Sequence, residues 1–166
     1  MRAIAILVCT LLLFCQGARA EKPEPFGAQF HTRSDNWAFD LQMRFLDEKK
    51  DRGVISAIAE EVRQKPKEYW LTWVNQLVNL SVKLAGSSKE GICARSAVAK
   101  FEVLRQLGFP REDLRLVYGI ASEEHAVAAV WSPDGWLILD NGALVVGFKP
   151  VLESKVRGFK AERSFY

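Results

Sequence analysis

Glu90-Gly91-Ile92-Cys93-Ala94-Arg95-Ser96-Ala97 is the stretch on which the fold turns. Gly91 is a poor helix-interior residue, so a helix that starts behind it and runs to Leu107 brings Cys93 into its first turn. At the helical period Cys93, Ala97, Phe101 and Leu104 share one face, while Arg95, Glu102 and Gln106 share the opposite one. Gly108 ends this helix and Pro110 prevents its resumption. One signal competes. Ser87-Ser88-Lys89-Glu90 matches a capping box that would start the helix earlier, set Cys93 in the second turn and weaken the dipole at the thiol.

Past Pro110 the period changes from helical to alternating. Leu114–Ile120, Ala126–Trp131 and Trp136–Leu139 read as strands, with Ser132-Pro133-Asp134-Gly135 as the turn between the last two. Leu144–Phe148 reads as one more strand. Upstream the pattern is helical. Ser34-Asp35 caps a helix to about Lys50 with Trp37, Leu41 and Phe45 spaced at four, and Asp51-Arg52-Gly53 breaks it. Val54–Gln64 carries Ile55, Ile58, Ala59 and Val62 on one side. Pro66 starts a third helix with Trp70, Trp73, Val74, Leu77 and Leu84, ended by Gly86. Helices first and an antiparallel sheet second predict an α+β fold.

The amino terminus reads as a targeting signal. Met1-Arg2 is a short basic start, Ala3–Cys15 is apolar or nearly so, and Ala18-Arg19-Ala20 is a small-x-small cleavage site. Residues 1–20 are therefore expected to be removed on export. Residues 21–33, with Pro23, Pro25 and Gly27, form an extended leader, and 34–166 form one domain. No later segment has the length and apolarity of a membrane span. Losing Arg2 and Arg19 leaves 21 basic against 20 acidic side chains, a net charge of +1. So even a balance gives no electrostatic footprint for nucleic acid. Cys9 and Cys15 leave with the same segment, and Cys93 becomes the sole thiol. An unpaired thiol in an exported chain is a partner for intermolecular pairing, a reactive group or a small buried hydrophobe.

His125 and Asp140 argue for the reactive reading. A helix N-terminus and an adjacent imidazolium lower a thiol's pKa, and the Cys93 N–H is placed to donate to an oxyanion. Pairing Trp131 with Trp136 across the turn puts His125 and Asp140 on one sheet face, a diagonal step of roughly 7–8 Å apart. A three-residue loop would instead send them to opposite faces. Asp140 would then orient the imidazole and stabilise its cation. A surface histidine neutralised by Glu123 and Glu124 is the plain alternative. His31 falls in the irregular leader and takes no role. No second cysteine or histidine pair completes a zinc site, and no phosphate loop or Gly-x-Ser-x-Gly elbow is present.

Several pieces of this text, in order and at matching spacing, resemble one family. They are Gly91-Ile92-Cys93-Ala94-Arg95-Ser96-Ala97-Val98-Ala99-Lys100, Leu104–Gly108, Leu114–Tyr118, Glu124-His125-Ala126-Val127 and Leu137-Ile138-Leu139-Asp140-Asn141. The stretch is similar to the bacterial transglutaminase-like cysteine proteinases, exported enzymes whose best-known type clips large surface adhesins. The resemblance implies a papain/transglutaminase-like fold, with Cys93 as nucleophile, His125 as base and then acid, and Asp140 as orienter. It further implies a protein substrate, a periplasmic or secreted location, and for some relatives a membrane-anchored regulatory receptor. The family's cysteine is flanked by acids associated with calcium. Here Ile92, Ala94 and Arg95 stand in those places, so no cofactor, calcium included, is expected.

The leading expectation is thus an exported cysteine peptidase acting through a Cys93-His125-Asp140 triad and a thioester. Acyl transfer or glutamine deamidation on the same triad remains an alternative, as does a catalytically silent binding module of the same fold.

Overall fold

A computed structural model describes residues 22–31, 50–84, 92–142, 144–145 and 147–166. The expected signal segment, the helix from Ser34 and the Ser87–Glu90 capping box lie outside the described residues.

Three helices and a six-stranded sheet make up the described chain. In chain order they are β1 (Gln29–His31), α1 (Lys50–Arg63), α2 (Trp70–Leu84), α3 (Ile92–Gln106), β2 (Leu114–Ile120), β3 (Glu124–Ser132), β4 (Gly135–Leu139), β5 (Val151–Leu152) and β6 (Lys160–Phe165). The sheet order is β1-β6-β2-β3-β4-β5. The α+β class holds, but the sheet is mixed rather than antiparallel, because β1 runs parallel to β6.

Other departures have local causes. α1 runs through the expected break at Asp51-Arg52-Gly53. Helical glycine costs about 1 kcal/mol, less than the burial of Ile55, Ile58, Ala59 and Val62 on one face returns. Leu144–Phe148 forms no strand among its described residues, because the Leu144 and Val145 N–H groups are committed to a carboxylate instead of a ladder. β6 went unread because Lys160-Ala161-Glu162-Arg163 is polar and mostly exposed, with no apolar alternation.

β3 is buried on both faces, and its residues alternate between two cores. Ala126, Ala128 and Val130 join Leu116, Leu139 and the apolar faces of α1, α2 and α3. Val127 and Ala129 point the other way, onto Val117, Trp136, Ile138 and Val156. Small side chains on β3 let α3 lie close against it. The β3–β4 turn is a tight one: Ser132 pairs with Gly135 and Trp131 with Trp136, the two indoles meeting edge to face at 5.2 Å.

Residues 22–31 strap the face away from the helices. The Glu24 carboxylate takes three bonds of 2.9–3.1 Å from the Arg115 guanidinium and a fourth of 2.7 Å from the Ser164 hydroxyl. Arg115 also lies over the rings of Phe30, Trp136 and Tyr166. The Trp136 indole N–H donates to the Pro23 carbonyl.

Candidate active site

β4 pairing with β3 stops at Ala128↔Leu139, while β2 continues to Ile120↔Glu124. The first residues of β3 are thereby left without β4 beside them. Into this gap come three side chains from three elements: Cys93 from the first turn of α3, His125 from β3, and Asp140 from just past the end of β4.

The expected register is the one observed. His125 Nε2 lies 2.7 Å from Asp140 Oδ1, and both residues are buried, at 4% and 1% exposure. An ionised carboxylate only accepts, so Nε2 carries the proton and Nδ1 is the nitrogen left for the thiol. The Cys93 thiol and the His125 imidazole are close enough to shift one another's pKa. The thiol also lies 3.9 Å from the Glu124 carbonyl and receives the Ala126 N–H. Glu124 and Ala126 point their backbone groups to the same edge by the two-residue repeat of the strand. Phe159 stands edge-on to the ring at 6.2 Å and closes the side away from the helices.

The Asp140 carboxylate is saturated. Its Oδ2 accepts the N–H groups of Gly142 (3.0 Å), Leu144 (2.7 Å) and Val145 (3.0 Å). Gly142, at φ 101°, supplies the left-handed turn that aims these donors back at the carboxylate. The Asn141-Gly142 turn therefore has a purpose at the site.

Each pKa shift follows from these contacts. Burial pushes the Cys93 thiol up, but the imidazole and the Ala126 and Ala94 N–H groups outweigh it and hold the thiol below its ordinary value. Burial disfavours the His125 cation, yet the bonds to Asp140 and Cys93 raise it to about 9. Asp140 is held well below the carboxylate range: burial opposes this, and His125 with the Leu144 and Val145 N–H groups prevails. Both shifts run toward thiolate beside imidazolium.

Behind the trio stand three polar residues that the sequence reading did not single out. Asn79 on α2 donates its amide to the Asp140 carbonyl at 3.0 Å and accepts the Ser96 hydroxyl at 2.9 Å. Lys100 reaches the Leu139 carbonyl at 3.4 Å. The available signal was spacing: Lys100 is seven residues, two helical turns, beyond Cys93 on an otherwise apolar face.

No protein-family model and no curated protein sequence matches the chain. Its likeness is to solved structures. In fold it resembles LapG of Legionella pneumophila. The EGTA-treated form superposes with a TM-score of 0.53 at 21% identity, over 77% of this chain and 81% of LapG. A second LapG structure gives 0.53 over 83% of its length, and the calcium-bound form gives 0.52 over 83%.

These neighbours correct one expectation. Ile92, Ala94 and Arg95, in the places of the family's acids, lead to an expectation of no cofactor, calcium included. LapG is known in calcium-bound and EGTA-treated forms, so a protein of this fold binds calcium. Among the described residues of the present chain, no three His, Cys, Asp or Glu side chains stand together as a metal site. Ile92, Ala94 and Arg95 offer no side-chain oxygen. Those residues do not fit a calcium cage, and the chemistry below takes no step through one.

Proposed function

We propose that the protein is an exported cysteine peptidase of the transglutaminase-like kind, with Cys93 as nucleophile, His125 as general base and acid, and Asp140 as the residue that orients and charges the imidazole. The observation that carries this reading is the 2.7 Å His125–Asp140 bond, which leaves Nδ1 facing a thiol of lowered pKa. The quoted sequence pieces, by their resemblance to the transglutaminase-like cysteine proteinases, support a protein substrate, and the likeness in fold to LapG accords with it.

The chemistry closes without further groups. The Cys93 sulfur adds to a peptide carbonyl carbon, and the carbonyl oxygen takes up the displaced electron pair as an oxyanion, for which the Cys93 N–H at the start of α3 is the proposed donor. The C–N bond then breaks, and the imidazolium gives its proton to the leaving amine. A thioester remains. Water, losing a proton to His125, adds to it and releases the carboxylic acid and the thiolate. The buried, four-fold bonded Asp140 keeps the proton on Nε2 throughout.

Removal of residues 1–20 as a signal, a periplasmic or secreted location and a single domain over 34–166 belong to the same proposal, as does control by a membrane-anchored receptor. No described helix is long and apolar enough to cross a membrane. The test compares proteins released from cells carrying the wild-type chain or Cys93→Ala. A surface protein shed only by the wild type, with a new terminus at one cut, is the expected result. Identical released proteins would refute the reading, and incorporation of a fluorescent amine without cleavage would move it to acyl transfer.

A further inference from the structure

Lys100 is the one charged side chain among the largest fully buried ones of the described chain, at 1% exposure. A buried ammonium is a liability, since it loses its hydration, and a methionine of similar length would fill the space without that cost. Lys100 Nζ has a single long contact, 3.4 Å to the Leu139 carbonyl, and it feels the charge of Asp140. The next carbonyl, that of Asp140, is held by Asn79, which is in turn oriented by Ser96. Asn79 and Ser96 are also buried, at 4% and 1%. Two successive carbonyls at the end of β4 are thus gripped from behind, and Ser96 and Lys100 both belong to α3, the helix that carries Cys93.

We infer that Lys100, with Ser96 and Asn79, forms a positioning clamp for the site: the nucleophile's own helix fixes Asp140, and through it the His125 ring, at a set distance from the thiol. The inference rests on the reading of Cys93, His125 and Asp140 as the working triad. Burial pulls the Lys100 amine down to about 7, against the charge of Asp140, which favours the ammonium. These are positioning residues, since none of them reaches the thiol or a carbonyl bound to it. A fold that carries an ill-solvated ammonium in its core for stability alone would be better served by an apolar side chain.

The test uses the full mature chain and three variants: Lys100→Met, Ser96→Ala and His125→Ala. Alkylation of Cys93 by iodoacetamide is followed at about pH 6, well below each melting temperature, with the ring nitrogen signals of His125 read by NMR. Lys100→Met is expected to melt no lower than the wild type, to alkylate about tenfold more slowly, and to move the ring signals. Ser96→Ala removes only the hydroxyl under Asn79. It is expected to slow alkylation about threefold, and it carries the test should Lys100→Met fail to fold. Fast wild-type alkylation with unaltered rates and ring signals in both variants overturns the clamp alone. Slow wild-type alkylation that His125→Ala leaves unchanged brings down the triad reading and the clamp with it.

Discussion

At the scale of single residues, the site is decided by which nitrogen of His125 meets which partner. Nε2 belongs to Asp140, so in the proposed reaction the proton that reaches the leaving group travels on Nδ1. The His125 cation is held to about 9, above the ordinary histidine value, by Asp140 and Cys93. A raised pKa of this kind contributes stability that is fully present below the ordinary histidine value and is lost as the pH rises through about 9. Amide hydrolysis should therefore fall above about pH 9, because the acid is gone, while alkylation persists on the thiolate. A pH profile of both reactions on one preparation checks this; parallel losses would contradict it. Asp140→Asn keeps an acceptor for the loop N–H groups but weakens the grip on the imidazolium. It should lower kcat/KM about 100-fold and move the alkaline limb of hydrolysis to lower pH.

At the scale of elements, strand ends and close approaches do the placing. β4 stops pairing at Leu139, and Asp140 bends out to collect three N–H groups, which opens the gap that Cys93 fills. Gly119, the cross-strand partner of His125, has a second duty. A Cβ on it would meet the Lys160 carbonyl oxygen at 2.3 Å, where the β2–β6 register shifts. Gly119→Ala should therefore destabilise the fold by about 2 kcal/mol or more, measured by urea unfolding. A neutral result would mean that β6 can move aside. Much of this was legible in the chain itself. The Trp131/Trp136 pairing and the shared face of His125 and Asp140 follow from one turn and a two-residue period. The parallel β1 and the polar β6 were not legible, because their place depends on partners distant in sequence and not on any periodicity of their own. Lys100 and Asn79 were hidden for the opposite reason: each is a polar residue within an apolar run, and its meaning appears only when α2 and α3 meet the end of β4.

At the scale of the whole molecule, the segment around Glu24 closes the face of the sheet opposite the helices. Arg115 is 8% exposed in its side chain and Glu24 19%, and their pair is backed by three aromatic rings and Ser164. Removing one partner of such a pair strands the other. Glu24→Ala should cost on the order of 3 kcal/mol, the low end for a buried pair because Glu24 keeps some water. Trp136, which lies under Arg115 and is tied to Pro23, would report the loosening by a red shift of its fluorescence. Unchanged unfolding and emission would show that the strap is dispensable.

All of this depends on the thiol of Cys93 being ionised by His125 at neutrality. The most direct measurement is the rate of Cys93 alkylation across pH in the wild type and in His125→Ala. The account predicts stoichiometric labelling already at about pH 6 in the wild type, and its loss in His125→Ala. Equal rates in the two proteins, rising only toward the pKa of a free thiol, would contradict it.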